Sequence, residues 1–131
     1  ADADQILRKL RGRGHTVVTG VAALHAQSAR RVSTAKATEV TMRDYSDTEL
    51  AAYVASGEPL DKAGAYAVQD DLFRPARDVS GCYLNVVGLP MCEVVSLLHA
   101  LGLRPTLRRG WRLPDECHDC PLESRVEVSR K

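Results

Sequence analysis

The stretch from residue 15 to residue 24, His-Thr-Val-Val-Thr-Gly-Val-Ala-Ala-Leu, constrains this chain more than any other. It is rich in β-branched residues, whose stiff side chains suit a pleated strand better than a helix. It is also apolar almost throughout, which reads as a strand covered on both faces. A strand needs a partner for its backbone groups. The nearest candidate is residues 38–43, where Thr38, Val40 and Met42 alternate with Glu39, Thr41 and Arg43, the period-two pattern of a half-buried strand. The polar stretch 25–33 between them reads as a loop, so the two strands are expected to form a long antiparallel pair.

Helices flank this pair. Ala1, Ala3, Ile6, Leu7 and Leu10 lie near helical spacing, and the Arg11-Gly12-Arg13-Gly14 run breaks the pattern. Ser46-Asp47-Thr48-Glu49 is a capping box, followed by a Leu50, Tyr53, Val54 stripe; Gly57 and Pro59 end that helix near Ser56. Residues 72–79 read as a strand that Pro75 demotes to an edge or splits. A second clear helix begins near Pro90, carries Val94, Val95, Leu97, Leu98 and Leu101, and stops at Gly102. About three strands for this many helices gives an α/β or α+β layer arrangement with a small sheet.

At 131 residues the chain is long enough to bury a core without metal or disulfide staples. Eighteen Lys and Arg against seventeen Asp and Glu leave a net charge of +1. That balance gives no electrostatic case for nucleic acid or a membrane as partner. No apolar run is long enough to span a bilayer, and no charged-then-apolar leader opens the chain. The expected setting is the cytoplasm.

The densest polar cluster follows the capped helix: Gly57-Glu58-Pro59-Leu60-Asp61-Lys62-Ala63-Gly64-Ala65-Tyr66-Ala67-Val68-Gln69. A lysine among small residues can meet a phosphate as a point charge while backbone approaches closely. A glutamine offers one donor group and one acceptor, enough to read the edge of a base. The competing reading is a solvated loop of ordinary turn residues.

This segment, with Gly81-Cys82-Tyr83-Leu84-Asn85-Val86-Val87-Gly88-Leu89-Pro90 after it, resembles the C-terminal half of the Maf family, nucleoside triphosphate pyrophosphatases also described as septum formation inhibitors. His15 through Val21 is similar to that family's His-x-Val-x-Thr-Gly-Val strand. Residues 38–42 and 49–54 fall in the expected order. The resemblance covers about residues 1–103 and leaves 104–131 as an extension. It implies an α/β fold around a mixed, twisted sheet flanked by helices, and hydrolysis of a nucleoside triphosphate to monophosphate and pyrophosphate. The implied cofactor is a divalent cation, Mg²⁺ or Mn²⁺.

The Asp-Lys-Ala-Gly-Ala-Tyr-x-x-Gln form resembles the branch acting on dTTP and UTP. By that resemblance Gln69 and Lys62 are the substrate-binding residues, and Glu58 and Asp61 support the loop or the metal. Tyr66 and Tyr83 are expected to pack rather than stack on a nucleotide. The family's Ser-x-Ser-Pro-Arg-Arg loop, its Gly-Ala-Asp-Thr segment with the proton-acceptor Asp, and its Gly-Lys-Pro do not occur in this sequence. The N-terminal part of the fold is therefore expected to be missing, with no catalytic residue in this chain and little or no activity of its own. A shortened sheet is also expected to leave an unpaired edge open to self-association, a homodimer included. The alternatives are a non-catalytic nucleotide-binding or interaction fragment, or a metal-binding module.

That last alternative rests on Cys117-His118-Asp119-Cys120, a lone C-x-x-C. A structural zinc site needs four ligands. Cys82 and Cys92 lie in the expected domain body, and nothing in the sequence brings them to the tail. Cys92 reads as a small buried residue. Residues 104–131 read as a tail docking through Trp111 and Leu113 and otherwise mobile.

Overall fold

A computed structural model describes residues 2–130. Ala1, expected in the opening helix stripe, lies outside the described residues. The elements in order are α1 (Asp2–Leu10), β1 (Gly14–His25), β2 (Arg30–Met42), α2 (Asp47–Ala55), β3 (Ala76–Ser80), α3 (Tyr83–Val87), α4 (Met91–Ala100), β4 (Thr106–Leu107), α5 (Leu122–Arg125) and β5 (Glu127–Val128). Strands β1, β2 and β3 form a three-stranded sheet in that order, and β4 pairs with β5 in a separate parallel ribbon. The expected α/β class, a small sheet with helices, is the one observed.

Two strand expectations change. The connection between β1 and β2 is only residues 26–29, because Arg30 to Ser33 already belong to β2. Their polar side chains suit the open face of a hairpin as well as a loop. Strand β1 is not covered on both faces: its burial alternates along its whole length, with Val18 64% and Leu24 67% exposed. The β-branched run reports strand propensity here, not two-sided burial.

The chain divides into two compact units. The first holds residues 1–17 and 39–81. Its core contains Leu7 from α1, Val40 and Met42 from β2, Leu50 and Tyr53 from α2, and Tyr45 and Phe73 from the connections. Phe73 stacks on Tyr53 at 4.1 Å between ring centroids and tilts against Tyr45 at 4.8 Å. As expected of Pro75, the strand is split there and lies at the sheet edge: β3 starts after Pro75 and pairs antiparallel with β2 from Glu39↔Ser80 to Met42↔Ala76. Pro75 has no amide to donate, but its carbonyl accepts from the Arg43 amide at 2.8 Å.

The second unit holds residues 18–38 and 82–131. Thr38 is buried and ties β2 to the start of α3. Its hydroxyl accepts from the Cys82 amide at 3.2 Å and from Asn85 Nδ2 at 2.9 Å. Helix α3 is unforeseen: Tyr83 to Val87 lack a capping side chain and end at Gly88. The segment beyond α4 is packed. Leu122 and Val126 are buried with Cys92 and Val95 of α4, and Leu107, Leu113 and Cys120 pack on the same cluster. Leu113 docks as expected, whereas Trp111 is 39% exposed.

Candidate functional site

The cluster after α2 is a succession of tight turns in the first unit. The helix itself is held by the expected box: the Glu49 amide donates to the Ser46 hydroxyl at 3.1 Å, and the Ser46 amide to the Glu49 carboxylate at 2.7 Å. Those bonds and the neighbouring Arg43 guanidinium hold the Glu49 carboxyl down at about 2. Gly57, in the left-handed region at φ 79°, turns the chain into a 3-10 turn over Glu58–Asp61. A second turn, Ala63–Ala65, contains Gly64 at φ 69°. A side chain at Gly64 would begin 3.2 Å from the Tyr66 ring, so both conformation and space require glycine.

Lys62 sits between these turns. Its Nζ donates to the Glu58 carbonyl at 2.7 Å and pairs with the Asp61 carboxylate at 2.9 Å and the Glu58 carboxylate at 3.5 Å. The Asp61 contact raises the lysine and lowers the aspartate, so both stay charged. Asp61 and Glu58 are exposed, and such surface pairs exchange for other partners at little cost. Gln69 lies on the following turn, exposed to solvent. Three of the four expected site residues, Glu58, Asp61 and Lys62, are thus brought together, with Gln69 further along the same loop.

A cleft of about 600 Å³ opens beside this loop. It is lined by Glu49, Tyr53, Ser56, Glu58, Asp70 and Phe73, among others, but not by Lys62, Asp61 or Gln69. Its carboxylates are engaged already. Asp70 accepts from the amides of Leu72 and Phe73 at 3.0 and 2.7 Å, and Glu49 serves the cap and Arg43. Among the described residues no three carboxylate, histidine or cysteine side chains converge as a ready metal site. The loop's own carboxylates therefore do not form a cation cage.

Contacts that the sequence reading did not name hold the loop in place. His15 Nε2 lies 2.8 Å from Tyr66 Oη, joining β1 to the Gly-Ala-Tyr turn. Burial lowers the His15 pKa and pushes the Tyr66 phenol up to about 12, so both are neutral near pH 7. The Ala67 amide donates to Tyr53 Oη at 3.2 Å. Arg43 donates to the Phe73 and Arg74 carbonyls at 2.6 and 3.0 Å. The only sequence signal for Arg43 was a cation at the end of an alternating strand. Tyr66 and Tyr83 are buried, as expected of packing residues.

The C-x-x-C is not alone. Cys92 Sγ lies 3.6 Å from Cys120 Sγ, although the two are 28 residues apart. The expectation that nothing joins Cys92 to the tail is corrected by the packing of α5 on α4, which carries Cys120 inward.

Residues 1–101 match the family model described as Maf-like protein. The chain belongs to the Maf family. Among its relatives, a dTTP/UTP pyrophosphatase of Dehalococcoides mccartyi is 44% identical over 124 residues, 95% of this chain and 55% of the relative. One from Thermomicrobium roseum is 43% identical over 129 residues, 98% of this chain and 58% of the relative. One from Dictyoglomus thermophilum is 46% identical over 101 residues, 77% of this chain and 52% of the relative. The chain spans about half the length of the curated relatives it matches. The first two matches necessarily extend into the segment after residue 101, beyond the family model.

Proposed function

We propose that the protein to which this chain belongs is a nucleoside triphosphate pyrophosphatase, splitting dTTP or UTP into monophosphate and pyrophosphate to keep the nucleotide pool clean. The observation that carries the reading is the Gly57-to-Gln69 loop: a lysine on exchangeable partners, glycine where backbone must turn sharply, and a solvent-facing amide, in a chain whose relatives bear that name. In this reading Lys62 trades Asp61 for a phosphate oxygen. Gln69 presents its amide to the 4-oxo and N3–H edge shared by thymine and uracil, accepting from one and donating to the other. Glu58 and Asp61 keep Lys62 charged and poised. The cation, Mg²⁺ or Mn²⁺, would be carried by the triphosphate, since the loop offers no cage.

None of the family's phosphate-loop or proton-acceptor motifs is in this sequence. The chain thus supplies the base-discriminating part of the site, and catalysis needs groups besides these. No helix among the described residues is long and apolar enough to cross a membrane. The reading places the protein in the cytoplasm on free nucleotides, without nucleic acid or membrane, and allows a homodimer.

The test is nucleotide titration of the chain by amide NMR with dTTP, UTP, CTP and GTP plus Mg²⁺, with pyrophosphate release followed in parallel. Saturable shifts confined to residues 57–70 with dTTP and UTP, weakened at least about tenfold by Gln69→Ala, are expected. Equal responses to all four nucleotides, or none, would overturn the assignment. Brisk pyrophosphate release by the chain alone would refute the division of labour.

A further inference from the structure

We propose that Cys82, Cys92, Cys117 and Cys120 together bind one Zn²⁺ as a structural four-thiolate site that fastens the C-terminal segment to helix α4. All four cysteines are free thiols and all four belong to the second unit. The sulfurs of Cys92 and Cys120 are 3.6 Å apart, far beyond a disulfide bond length. Two sulfurs at about 2.3 Å from a tetrahedral zinc stand about 3.8 Å from each other. The pair therefore already has nearly the separation of two zinc ligands.

The other two thiols surround the same spot. Leu84 packs on the cluster that contains Cys92, as Cys120 does. The Leu84 backbone amide donates a hydrogen bond to the Cys117 sulfur, which places that thiol beside the same cluster. Cys82 immediately precedes α3, two residues before Leu84, and is fixed there by Thr38.

No three donors among the described residues stand at ligating distances yet. Coordination accordingly requires Cys82 and Cys117 to close onto the Cys92–Cys120 pair. Asp119, between the two cysteines of the C-x-x-C, lies in the left-handed region at φ 53°. The chemistry is balanced by loss of thiol protons to solvent as Zn²⁺ binds, with no change of oxidation state. The site is separate from the loop proposed to bind nucleotide and does not depend on that reading.

The experiment is elemental analysis of the chain purified under thiol reductant without chelator, followed by replacement of the metal with Co²⁺. About one zinc per chain, and a cobalt spectrum with sulfur-to-metal charge transfer and tetrahedral ligand-field bands, are expected. Cys92→Ser and Cys120→Ser should each lower bound zinc at least about tenfold. Should either variant fail to fold, alkylation of the unsubstituted chain serves instead: all four thiols should be protected with metal and react after chelation. Less than about a tenth of an equivalent after dialysis against Zn²⁺, or undiminished zinc in both variants, would overturn the proposal. So would four thiols that react equally with and without metal.

Discussion

Leu122→Ala tests whether the segment after α4 is part of the folded body. Leu122 is fully buried and packs with Cys92, Val95 and Val126. The substitution removes three carbons, about 2.4 kcal/mol at about 0.8 kcal/mol for each methylene transferred to water. The unfilled space adds to this, so the expected loss is about 3–4 kcal/mol. Such a loss is a large fraction of an ordinary domain's stability. The assay is urea unfolding followed by far-ultraviolet circular dichroism and by fluorescence of Trp111, the only tryptophan, at the same metal content for both proteins. The Trp111 transition should move to markedly lower urea, and amide protection at Ser129, whose N–H donates to the Leu107 carbonyl at 2.8 Å, should fall with it. A shift under about 0.5 kcal/mol is what an exposed, unpacked tail would give. That result would refute the packing argument.

Four further outcomes follow from the first unit. Ser46→Ala should cost about 1 kcal/mol, measured by thermal or urea unfolding, because it removes the hydroxyl that accepts from the Glu49 amide. Glu49, held at about 2 against an ordinary 4.5, contributes stability that is fully present above about pH 4.5 and drains away as pH falls toward 2; Glu49→Gln should flatten that acid limb in a stability–pH series. His15, lowered by burial, leaves the unfolded chain binding the proton first, so its contribution is present above about pH 6.5 and declines below; NMR titration should find its midpoint under 6.5, and a midpoint above it would contradict the buried, neutral ring. Gly64→Ala should destabilise by about 1 kcal/mol or more on unfolding, through its positive φ and the nearby Tyr66 ring.

Much of this was legible because it is local. The cap at Ser46, the alternation of Thr38, Val40 and Met42, and the stop at Gly102 depend on neighbours in the chain, and each appears where its pattern places it. Short α3 escaped notice because five residues without a cap carry no periodicity to detect. The length of β2 escaped because Arg30 to Ser33 look like a loop until a partner strand lies beside them. In the candidate site, residues 57–69 announced themselves by composition and by motif. The supports from Arg43, Tyr53 and His15 did not, since each acts on a segment 14 to 51 residues away. The meeting of Cys92 with Cys120 is wholly tertiary.

The division of the hairpin between the two units has a consequence for how the chain is made. Residues 18–38 are synthesised before the residues grouped with them, which begin only at Cys82. Synthesis from Thr38 to Val126, at about 5–20 residues per second, takes on the order of ten seconds. For that interval the hairpin waits for the segment that completes its unit, while the first unit, complete by residue 81, can already close. The nascent chain is therefore most open to wrong strand pairing at the hairpin, and during that particular window.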